Sequence, residues 1–122
     1  MNNETTTTAQ TIAAEILQQL GGRKFVAMTG SKNMLFAEIT ESNPNIWLRM
    51  DLSKNSGKVN RLKIVLNAND TYTMKFYNQR IVNYTDVKIS NEQTFEGVYC
   101  DQLREIFTKV TGLYTTLGTM GR

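Results

Sequence analysis

The chain offers a narrow set of chemically competent residues: no histidine, and among 122 residues a single cysteine, Cys100. Without imidazole, the Ser-His and Cys-His pairs that activate nucleophiles are excluded, and so is the commonest transition-metal ligand. Zinc asks for several thiolates or imidazoles, so no metal site and no cofactor is expected. Two stretches hint at a phosphate loop, "GSKN" at 30–33 and "SGKV" at 56–59. Neither places Ser or Thr after a Gly-Lys pair, and each joins two expected strands, whereas a P-loop opens a helix. Asp101 and Glu105 stand four apart, but Arg104 and Lys109 beside them make an ordinary solvated helix face. Glu38 and Asp51 read as sheet-face or edge charges, and Cys100 as a small buried residue. No acid, base, nucleophile or metal constellation results, and the expectation is that the protein is not an enzyme.

Cations interleaved with aromatic residues are the richer signal. If Ile46, Leu48, Met50 and Leu52 point into a core, alternation turns Trp47, Arg49 and Asp51 outward. The same rule on the following stretches puts Leu62, Ile64 and Leu66 inside with Arg61, Lys63 and Val65 outside, then Tyr72, Met74 and Phe76 inside with Lys75 and Tyr77 outside. One sheet face would thus carry Trp47, Arg49, Arg61, Lys63, Lys75 and Tyr77, combining cations for phosphate with rings for base stacking. The plain reading of the same set is a solvated face whose cationic stems lie across the rings.

The elements that position these residues follow from periodicity. From about Thr8, Ile12, Ile16, Leu17 and Leu20 recur at helical spacing, and Gly21 and Gly22 stop the helix. From Lys24 to about Ile89 the period becomes two, with candidate strands at 24–29, 34–40, 45–52, 59–67, 71–78 and 82–89. "GSKN", "ESNPN", "SKNSGK" and "NAND" supply turn chemistry between them. A second amphipathic helix carries Tyr99, Leu103, Ile106, Phe107 and Val110 on one face and ends at Gly112. Leu113, Tyr114 and Leu117 are placed to fold back onto the core. The predicted class is α+β: an N-terminal helix, an antiparallel meander of five to six strands and a C-terminal helix, both helices on one face of the sheet. Residues 1–7 are expected to be disordered, 8–117 to form a single domain and 118–122 to be a loose tail.

Net charge is +3 and uneven: residues 21–80 hold ten Lys/Arg against four Asp/Glu. Such a local excess steers an anionic partner toward one surface. No apolar stretch approaches membrane-spanning length, and neither the first residues nor the cysteine usage suggests export, so a cytoplasmic setting is expected.

The stretches "ILQQLGGRKFVAMTGSKN", "VNRLKIVLNANDTYTMKFY" and "GVYCDQLREIFTKVTGLYTTL" resemble a family of small proteins commonly encoded by bacteriophages, prophages and other mobile elements. The most specific parts are the LGGxxFxxMTGxKN opening and the YxDQL start of the last helix. The resemblance implies a host-cell context and not a mechanism, and it offers no catalytic residues to carry over; "KNMLFAEITESNPNIWLRMDL" departs from the family pattern in its second hairpin. Two functions are expected from the residues themselves, set in that context. One is a non-enzymatic accessory protein binding single-stranded nucleic acid through the basic, aromatic sheet face. The alternative is an interaction or assembly module that binds a host or phage protein, or itself, through a strand edge or helix face.

Overall fold

The computed structural model describes residues 8–37 and 45–115. The expectations for residues 1–7, Glu38, most of the "ESNPN" turn, Leu117 and the 118–122 tail lie outside them. The chain runs through helices α1 (Thr8–Leu20) and α2 (Gly22–Thr29), and strands β1 (Lys32–Ala37), β2 (Trp47–Asp51), β3 (Arg61–Leu66), β4 (Tyr72–Val82) and β5 (Asp86–Val98). A short 3-10 turn, Cys100–Gln102, then leads into helix α3 (Leu103–Thr111). The strands form one antiparallel meander in the order β1-β2-β3-β4-β5. The α+β class is as the periodicity predicts, with five strands among the described residues.

The stripe on α1 puts Ala13, Ile16 and Leu20 against alternate residues of the sheet, Leu48, Met50, Leu62, Ile64, Met74 and Phe76, in one hydrophobic core. Leu103, Phe107 and Val110 of α3 join the same core. Phe107 meets Phe25 edge-on at 5.0 Å between ring centroids and Phe76 at 6.3 Å, so α2, α3 and the sheet share one aromatic contact. All three helices therefore cover one sheet face, and among the described residues no element covers the other.

The main correction is the segment 24–29. It reads as a strand in sequence but forms helix α2. Gly21, at φ 130°, has a conformation only glycine adopts easily, and it interrupts the helical path so that a second helix begins one residue later. Phe25 and Thr29, one helical turn apart, are both buried, and Thr29 Oγ1 donates to the Phe25 carbonyl at 2.7 Å. Gly30 is the left-handed C-cap of α2, its N–H bonding the Val26 carbonyl at 2.9 Å, and is not part of a hairpin. Cys100 is exposed and not buried. Tyr99 leaves the core face as well: it precedes the 3-10 turn, 61% exposed, with its N–H donating to Gln102 Oε1 at 2.9 Å. Tyr114 is half exposed and Leu113 is partly buried against the core.

The last two strands are longer than the alternation indicates. β3 pairs with β4 only from Leu66↔Tyr72 to Arg61↔Tyr77, while β4 continues to Val82. Beyond the sheet, Asn78↔Ser90 through Val82↔Asp86 pair as a two-stranded ribbon closed by Asn83, Tyr84 and Thr85. The β2–β3 loop supports its root from the helix side. Ser56 Oγ donates to the Thr111 carbonyl at 3.0 Å, and Gly57 lies so close to the Val110 carbonyl that a Cβ would collide with it.

Candidate nucleic-acid interface

On the sheet face opposite the helices, registration of β1 to β5 arranges side chains in transverse rows. The middle row is Leu35↔Arg49↔Lys63↔Lys75↔Thr94. Three cations on adjacent strands thus stand in line, about 4.8 Å from one strand to the next. Like charges directly opposite one another oppose sheet formation. Burial, then Lys75, then Arg49 hold the Lys63 ammonium below the ordinary lysine value of 10.5. Lys63 Nζ lies 4.6 Å above the ring of Trp47, its diagonal neighbour, in a cation–π contact.

The neighbouring row behaves differently. In Asp51↔Arg61↔Tyr77 the Arg61 guanidinium is held by the Asp51 carboxylate, Nη1 to Oδ1 at 2.9 Å, and Asp51 also accepts from Asn33 Nδ2 at 2.7 Å. Asp51 is therefore a structural counter-ion. Tyr77 sits on the open face by register but is only 8% exposed, next to a β4–β5 irregularity between Phe76 and Asn78. It cannot serve as a stacking platform for a base. Lys75 lies 3.7 Å from Glu92 on β5, with both side chains half exposed, a loose pair open to competition.

Of the six residues that alternation singles out, the structure brings Trp47, Arg49, Lys63 and Lys75 together as an accessible cluster, neutralises Arg61 and buries Tyr77. Arg49 has no carboxylate partner among the described residues. Also among the described residues, no three His, Cys, Asp or Glu side chains gather as a metal site, and no helix is long and apolar enough to cross a membrane.

Alternation missed the ribbon. Its register puts Ile81 opposite Val87 and Gln79 opposite Ile89 on one side, and Arg80 opposite Lys88 on the other. Ile81, Val87 and Ile89 are 69%, 55% and 51% exposed, and Tyr84 at the tip is 97% exposed. "QRIVNYTDVKI" carried the signal: two alternating runs around Asn83-Tyr84-Thr85, read in sequence as a gap and a single strand.

Fold and face together define an α+β protein whose meander is backed by helices on one side and bears a row of cations on the other. Comparisons with protein-family models, with curated proteins and with solved structures each found no match.

Proposed function

We propose that this is a non-enzymatic accessory protein that binds single-stranded nucleic acid across the open face of its sheet, in the cytoplasmic, phage or mobile-element setting its sequence resembles. The observation that carries this reading is the Arg49–Lys63–Lys75 row. The fold sustains repulsion there that a phosphate chain would relieve, because an anion between adjacent cations turns each unfavourable pair into two favourable ones. Trp47 supplies the stacking surface. A phosphate that draws Lys63 away uncovers the ring for a base.

The test is a titration of single-stranded oligonucleotide at low salt, followed by Trp47, the chain's one tryptophan. Fluorescence should quench on binding, and affinity should fall with salt at a logarithmic slope of about −2, given roughly 0.7 per phosphate contact on single strands. Unchanged fluorescence, with no shift in anisotropy of a labelled oligonucleotide, would rule the reading out. The alternative, an interaction module for a host or phage protein or for itself, draws on the exposed Ile81, Val87 and Ile89. It predicts association that does not depend on Arg49, Lys63 or Lys75.

A further inference from the structure

From the ribbon we infer a second contact surface: residues 78–90, which extend beyond the sheet that carries the Arg49–Lys63–Lys75 row, form an arm for the groove of double-stranded nucleic acid. This rests on the reading of the protein as a nucleic-acid binder and assigns it a second form of the ligand.

The arm is braced at its root. Asn60 substitutes for the strand residue that β3 lacks: Gln79 N–H donates to Asn60 Oδ1 at 2.8 Å, and Asn60 Nδ2 donates to the Gln79 carbonyl at 3.0 Å. Asn78 Nδ2 and Asn91 Nδ2 both donate to the Lys58 carbonyl, at 3.3 and 3.1 Å. These bonds tie the ribbon to the 53–60 loop, which itself packs against α3 through Ser56. Five residues of each strand project beyond the sheet, about 16 Å at 3.3 Å per residue, whereas the major groove is about 8.5 Å deep and wide enough for a two-stranded ribbon.

Charge selects the ligand. Arg80 and Lys88 face each other across the ribbon, exposed and without a carboxylate partner among the described residues. The adjoining loop adds exposed Lys54 and Lys58, which line a cleft of about 340 Å³ shared with Asn60 and Asn78. Asn78 Oδ1 is itself buried, with no hydrogen-bond partner among the described residues. Arg80 and Lys88 are a second pair of like charges directly opposite one another, on a ribbon that has no core behind it. Asp86, diagonal to Arg80 by register, makes no ion pair with either, so an anion lying against the pair would relieve its repulsion. At the tip, Asn83 and Tyr84 have φ of 53° and 70°. A left-handed conformation is unusual for a bulky residue, and it holds an almost fully exposed ring at the leading end of the arm.

The experiment measures binding of the full chain to a labelled 20-base-pair duplex and to one strand of it, with Arg80→Thr/Lys88→Thr, Arg49→Thr/Lys75→Thr and Ile81→Thr/Val87→Thr/Ile89→Thr variants. The first should weaken duplex binding at least tenfold, lower the duplex salt slope by about 2 at roughly 0.9 per phosphate, and change single-strand binding less than twofold. The second should do the reverse. Single-strand binding without duplex binding, or duplex binding lost only in the second variant, overturns the arm and leaves the open face standing. Loss of both ligands in the wild type removes both. If the apolar variant alone changes the sedimentation mass while the Arg80→Thr/Lys88→Thr variant keeps full duplex affinity, the arm is a self-association contact and the inference fails.

Discussion

Along β4, residues 72–76 alternate between buried and half-buried positions and Tyr77 is buried as well, whereas Arg80 and Ile81 stand in solvent, although both stretches pair with β5. The first stretch is held by what its side chains touch, since Met74 and Phe76 are fully buried in the core that α1, α2 and α3 close. The second is held at its root by amide side chains bonded to backbone. Burial tolerates little change of volume, while a ribbon without a core leaves its surface free to be shaped by a ligand.

The sharpest test of the contrast sets Phe107→Ala against Ile81→Ala. Phe107 is fully buried and joins the rings of Phe25 and Phe76, so truncation should cost about 3–5 kcal/mol in denaturant unfolding. Ile81→Ala removes a side chain that is 69% exposed and should change stability by less than about 0.5 kcal/mol. Equal effects would mean that the ribbon is packed in solution.

Next in size is Asn60→Ala. It strips two hydrogen bonds from the Gln79 backbone, at about 1 kcal/mol each. Amide exchange should accelerate across 79–90 and stay unchanged at Leu62 and Ile64. Acceleration spread evenly through the sheet would show that the arm and the core open as one unit.

The same division explains what the sequence reveals. α1, α3 and the central strands each bury one face, so apolar residues recur with the period of the element, and Leu48, Met50, Leu62, Ile64, Met74 and Phe76 all fall where alternation puts them. α2 escapes because its second buried position is Thr29, a polar residue whose hydroxyl is satisfied by Phe25 and Ser31, which leaves "KFVAMT" with an apparent period of two. β5 is exposed nearly throughout, so "SNEQTFEG" has no apolar alternation to read. For the candidate site, alternation finds the correct face and the cations on it. Their state depends on cross-strand partners: Asp51 for Arg61, Glu92 for Lys75, Trp47 for Lys63. Those partners are set by register and by bulges, which periodicity does not encode.

Lys63→Met probes the open face at smaller amplitude. The substitution keeps the stem, discards a charge held beside Lys75 and Arg49, and gives up a cation–π contact of about 0.5–1 kcal/mol. Because the folded state holds the Lys63 pKa below 10.5, the unfolded chain binds more protons between the lowered value and 10.5, and stability rises with pH there. The penalty is therefore fully present at neutral pH and gone above both values. Lys63→Met should melt at or above the wild-type temperature at pH 7 in low salt, lose that advantage above pH 10.5, and bind single strands more weakly. A melting temperature several degrees lower would show that the contact with Trp47 outweighs the repulsion.

Tyr84→Gly carries the finest distinction, because it separates what the ribbon needs to fold from what it presents. A left-handed backbone costs an L-residue about 1–2 kcal/mol, and glycine gives back about 0.5–1 kcal/mol through its freer unfolded state. With a side chain 97% exposed, no packing is lost on removal. The substitution should thus stabilise the turn by roughly 0.5–1 kcal/mol, slowing amide exchange at 79–89 by about two- to fivefold, since 1.4 kcal/mol is a factor of ten. If the tip touches a ligand, duplex affinity falls in the same variant. Slower exchange with unchanged affinity would place the contact on Arg80 and Lys88 alone, and faster exchange would mean that the ring stabilises the ribbon it tops.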